Sequence, residues 1–176
     1  LSIFEGVSLP ETETMITTEL AKDGLSDVDR TGLQTALDVT KKRLAKAKKD
    51  PILLGVEKDL FKITPLDPST ITAKQVKDRG NQAVIAASEF KTKPKFFTAA
   101  EAEVFANYVI DTTTTNAQKI TLISKLNQTG RPDVAYNQIS KKGGALFAGV
   151  GALVLEGKDI TASRVMSGDM FLREGS

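Results

Sequence analysis

The chain of 176 residues contains no cysteine and no histidine. The first absence excludes disulfides and thiolate nucleophiles. The second excludes imidazole-based triads and, with the first, the usual zinc ligands. Only carboxylates, lysines, tyrosines and hydroxyls remain as catalytic material, so an enzyme reading has to rest on paired acids. Glu101 and Glu103 stand two apart on one expected helix and point in different directions, which makes no dyad. Ser140 beside Lys141 offers a hydroxyl and an amine, but Lys141 and Lys142 sit where cations favour a helix end. No catalytic residue, cofactor or metal ligand is assigned. A membrane-spanning run is missing too: the longest apolar stretch, Ala145 to Leu155, rises about 16 Å as a helix, roughly half the hydrocarbon thickness of a bilayer.

What is present is charge in blocks. The whole chain carries a net charge of +2, but residues 1–40 hold eight acids against Lys22 and Arg30. Residues 41–50 reverse the sign with Lys41, Lys42, Arg43, Lys46, Lys48 and Lys49 against Asp50 alone. The order is an acidic arm, a basic collar and a nearly neutral body. No signal peptide is read at the start, and the opening Leu1 suggests a piece of something longer.

No strict alternation of apolar and polar residues persists anywhere, which leaves an all-α chain. LSIFEGVSLP is expected to be extended, with a short helix from Glu11 to Leu20. Ser26 caps a long helix over 27–49, which has acids in its first turn, lysines in its last and Leu33, Leu37 and Leu44 on one face. Pro51 ends that helix or kinks the chain, and KITPLDPST forms a connector, placing the main boundary near residue 68. The expected parts are therefore 1–67, an acidic arm with a basic-ended helix, and 68–176, a compact helical domain.

Within the second part, Thr72 with Gln75 and Thr98 with Glu101 have the capping-box form and start helices near 72–90 and 98–111. Val76, Ala83, Val84, Ala87 and Phe90 are the expected inner face of the first. Val104, Phe105, Tyr108 and Val109 form that of the second. A helix over 116–128 turns Ile120, Ile123 and Leu126 inward, and Pro132 opens a short helix holding Val134, Ala135 and Ile139. Gly143 and Gly144 then break the chain. A last helix over 161–173 buries Val165, Met166, Met170 and Phe171.

The apolar stretch 145–155 is expected to be a central helix, buried all round, with five to seven short helices packed about it. Phe147 and Leu153 are its core-filling residues, and Gly149 and Gly151 its close-packing positions. Gly149-Val-Gly151 is no nucleotide loop, because the third glycine of such a loop falls at Val154 and no strand precedes it. The six cations of 41–49 can contact phosphates without reading bases, since no aromatic partners accompany them. That gives a nucleic-acid-associated accessory protein as the alternative function, with nonspecific DNA as its partner. The acidic first 40 residues are a possible intramolecular partner for the same run.

Five segments carry a further likeness: KKRLAKAKKDPILLG at 41–55, ITAKQV at 71–76, FTAAEAEVF at 97–105, LFAGVGALVLEG at 146–157 and ITASRVMSGDMFLRE at 160–174. Together they resemble a helical pattern of very large phage and prophage virion-associated proteins, of the internal or DNA-ejection type often linked to lytic transglycosylase modules. The resemblance covers roughly residues 41–175. It implies a non-enzymatic structural module acting through helix packing and protein contacts, inside the virion or ejected into the host envelope. Its partners are then other virion proteins or the rest of a larger parent chain, with homo-oligomers left open.

Overall fold

A computed structural model describes residues 7–174, with side chains described through Met166. It is all-helical. The order is α1 (Leu9–Leu20), α2 (Asp27–Lys49), α3 (Pro51–Glu57), α4 (Ala73–Phe90), α5 (Ala99–Ile110), α6 (Asn116–Leu126) and α7 (Pro132–Ile139). A π-helical turn over Ser140–Gly144, α8 (Ala145–Leu155) and α9 (Asp159–Glu174) complete it. No strand occurs among the described residues.

Side-chain caps explain most of the helix starts. Ser8, Thr72, Thr98 and Thr115 each close a capping box with the residue three positions on, and Ser26 caps α2. The box at Ser8 and Glu11 starts α1 earlier than expected, with Pro10 in its first turn, where a missing N–H costs nothing. Leu1–Gly6 lie outside the described residues. Helix α3 was not expected. Asp50 accepts the Leu53 amide at 3.0 Å and Pro51 takes the first turn, so Asp-Pro ends one helix and begins another. Helix α9 starts at Asp159, two residues before the expected Thr161.

The inward faces differ from the sequence reading at several positions. In α4 the buried residues are Val76, Arg79, Ala83, Ala86 and Phe90, a three-four spacing that turns Val84 outward. In α5, Ala102, Phe105, Ala106 and Val109 are buried and Val104 is exposed; in α6, Leu122, Ile123 and Leu126 are buried and Ile120 is exposed. Val165 of α9 is exposed and Met166 buried, while the side chains of Met170 and Phe171 lie outside the described residues.

Helix α8 is not buried all round. Phe147, Ala148, Val150 and Gly151 face the core, Leu153 and Val154 pack against it partly buried, and Ala145, Leu146, Gly149, Ala152 and Leu155 are exposed. The helix needs neighbours on only one side, since α7 and α9 pack there, and scattered surface apolar residues are tolerated. Gly151 is a close approach, because a Cβ there would overlap the Tyr136 ring. Gly149 is not a packing position: a Cβ there would meet nothing within 4 Å. At Gly143 the backbone takes φ 106, a conformation that suits glycine and lets the chain bend from α7 into α8.

The centre lies instead at the segment leading into α5. Phe96 and Phe97 are almost wholly buried, and the Phe97 ring packs tilted against Phe105 with centroids 4.4 Å apart. Their backbone would be unsatisfied in such a place, so side chains from three other elements complete it. Gln138 of α7 accepts the amides of Phe96 and Phe97 at 2.6 and 2.9 Å and donates to the Phe97 carbonyl at 3.0 Å. Asp50, between α2 and α3, accepts the Ala99 amide at 2.8 Å. Arg79 of α4 donates to the Phe96 carbonyl and forms a two-pronged ion pair with Glu101 of α5.

The same ion pair holds the connector, which spans the boundary placed near residue 68. Arg79 donates to the Thr64 carbonyl at 3.1 Å, and Glu101 accepts the Leu66 amide at 3.0 Å. Gln82 also donates to the Lys62 carbonyl. Two apolar clusters flank this joint. A large one runs through α4 to α9, and a smaller one of Ala47, Leu54, Ala86 and Phe90 seats the start of α1 and the α2–α3 corner on α4.

Candidate functional site

The lysine-rich end of α2 is exposed at Lys41, Lys42, Arg43, Lys46, Lys48 and Lys49, while Leu37, Thr40, Leu44 and Ala47 form its buried face. The cations therefore fan around the outer circumference of the helix rather than lining one stripe. Lys46 is paired with Glu57 of α3 at 2.5 Å. No ion pair joins the run to the acids of the first 40 residues among the described residues. Lys49, at the very end, enters a concavity with other cations.

That concavity is a cleft of about 440 Å³ between the end of α2, the loop before α5, the start of α7 and the π-helical turn. Among the described residues its cations are Lys49, Lys93, Lys95, Arg131, Lys141 and Lys142, and its single carboxylate is Asp133. Asp133 is engaged by Arg131, whose Nε and Nη2 each donate to it at 3.2 Å. Hydrogen bonding from Arg131 holds the Asp133 carboxyl below its usual range. Asp50 lies nearby, but its two oxygens are committed to the Leu53 and Ala99 amides. None of the five lysines forms an ion pair with an acid among the described residues.

Lys95 is the inner member of the set. It is half-buried, and its ammonium donates to the Lys49 carbonyl at 2.9 Å, closing the end of α2. Burial pushes its ammonium below the ordinary lysine value, and Lys141 and Lys142 push it further while Asp50 opposes them. The cleft thus concentrates positive charge faster than the protein neutralises it.

Sequence spacing points to Lys49 but leaves Lys91, Lys93 and Lys95 as loop solvation and Lys141 and Lys142 at a helix end. The structure brings four of these beside Lys49 and Arg131, from three stretches of the chain well separated in sequence. Nothing in local spacing marks such a convergence. Arg79 was also missed, although a signal existed: it is the one charged residue on the inward stripe between Val76 and Ala83. Among the described residues no group of three or more acids could hold a metal ion, and no helix is long and apolar enough to cross a membrane.

No family model, curated protein or solved structure significantly matches the chain. Its function has to be argued from its own geometry.

Proposed function

We propose that the chain is a non-enzymatic structural module of a large phage virion-associated protein, acting through helix packing and protein contacts during assembly or genome delivery. The observation that supports this reading is where the segments of the likeness meet. Asp50 of KKDP accepts the backbone amide of Ala99 in FTAA, and Glu101 of FTAAE pairs with Arg79, three residues beyond ITAKQV. The residues that carry the pattern are therefore joints between helices, as a structural module requires. The carboxylates at these joints, Asp50 and Glu101, are buried and committed to backbone amides and, for Glu101, a guanidinium.

Peptide mapping by mass spectrometry of virions purified after induction of the source cells tests this reading. Peptides from this chain should appear in the particles, within a longer polypeptide or beside other virion proteins. Their recovery only from the soluble fraction of uninduced cells would contradict it. The purified chain should also leave cell-wall suspensions turbid, and clearing that depends on a carboxylate would replace the proposal with an enzymatic one.

A further inference from the structure

We propose that the cleft between α2, the 91–98 loop, α7 and the π-helical turn binds a stretch of phosphodiester backbone, without reading base sequence. Four observations carry this. The lining holds six cations against one carboxylate, and that carboxylate is already satisfied by Arg131. The charges line a recess of about 440 Å³ rather than a convex helix end, and low-dielectric walls focus potential in a recess. Lys93, Lys141 and Lys142 make no ion pair among the described residues and stand at the surface, so their charge is available to a ligand. Asn137 adds a neutral amide to the same lining.

The choice of ligand follows from the residue types. Lysine ammonium groups are compact point charges suited to phosphate oxygens, whereas planar carboxylates favour arginine forks. The only arginine in the cleft is occupied by Asp133. Among the described residues no aromatic side chain lines the cleft, because Phe96 and Phe97 are turned into the core, so none of these stacks on a base there. This inference stands independently of the virion reading, and it moves the phosphate contact away from most of the 41–49 run.

Fluorescence anisotropy of a labelled duplex DNA with the full chain, across a salt series, tests it. Binding is expected at low salt, equal for unrelated sequences, with log K falling linearly against log salt. The triple variant Lys93→Gln, Lys141→Gln, Lys142→Gln should weaken binding by about tenfold or more at low salt. It should also make the slope shallower by about 0.9 for each phosphate that the variant no longer neutralises. All three side chains stand at the surface without an acidic partner, so circular dichroism should show an unchanged fold. The matched variant Lys41→Gln, Lys42→Gln, Arg43→Gln should keep near-native affinity. Absence of binding at the lowest salt overturns the proposal. So does an equal or larger drop in affinity in the matched variant, or binding of tripolyphosphate that duplex DNA cannot displace.

Discussion

Glu101 does three jobs with one carboxylate: it closes the capping box with Thr98, accepts the Leu66 amide and pairs with Arg79. The capping role is visible in Thr98-Ala-Ala-Glu101 itself. The ion pair is not, because it depends on how α4 lies against α5. Arg79 sits at the inward spacing of α4, and its side chain is 2% exposed, so its charge is poorly solvated once a partner is missing. Glu101→Gln should therefore cost about 3–5 kcal/mol of unfolding free energy, since it leaves a buried cation uncompensated. Urea denaturation gives the number. A change near that of a surface pair, below about 1 kcal/mol, would mean that water reaches Arg79 in solution.

At the scale of elements, the breakers and the caps at Ser26, Thr72 and Thr98 are legible, whereas the caps at Ser8 and Asp50 and several of the inward faces are not. Most helix starts follow from a Ser, Thr or Asp with its partner three residues on, a signal confined to one turn. Which of several apolar residues turns inward depends on neighbours far away in the chain, so Val84, Val104 and Ile120 were placed on the wrong side. The apolar stretch 145–155 misled for a related reason. Composition alone cannot distinguish a helix buried all round from one whose outer face is merely small and apolar.

The two glycines of α8 test this difference. Gly151→Ala drives a methyl into the Tyr136 ring, which is held by Asn127 through its hydroxyl at 2.8 Å, and should cost about 1–3 kcal/mol by overpacking. Gly149→Ala enters open space on an exposed helical turn and should stabilise by about 0.5–1 kcal/mol. Thermal melts of the two variants should move in opposite directions; equal shifts would contradict the one-sided burial of α8.

The turns and caps also set a dependence on acid. The Ser8 hydroxyl and amide hold Glu11 below its usual 4.5, the Ser69 hydroxyl holds Asp67 below 3.8, and the Thr113 amide does the same for Asp111. Each is a carboxylate whose folded value is depressed. Its stabilising share is complete above the unfolded value and is lost as pH falls through the folded one. Urea midpoints should stay level on the acid side down to about pH 4.5 and then decline. Ser8→Ala removes the hydroxyl but keeps the amide, so it should lessen the earliest part of the decline, and an unaltered profile in that variant would count against the Glu11 cap.

At the scale of the whole molecule, the described residues gather in two apolar clusters that meet at a polar joint. The connector looks like a boundary in sequence because prolines and short polar residues gather there. Physically it is tied down by Arg79, Gln82 and Glu101, all from beyond it. Segments near 50, 65, 80, 100 and 138 meet at this place, and only long-range packing brings them together. The basic cleft is a consequence of the same joint, since Gln138 and Asp50 fix the loop that carries Lys93 and Lys95 beside Lys49, Lys141 and Lys142.

Native-state hydrogen exchange tests that organisation most directly. The amides of Leu66, Phe96, Phe97, Thr98 and Ala99 lie outside helix ladders and donate to the side chains of Glu101, Gln138 and Asp50. If the joint holds the molecule together, these amides should exchange with opening free energies close to that of global unfolding, matching the core of α5. Exchange at the rates of exposed loops would show that 94–101 opens on its own and that the two clusters are not held there.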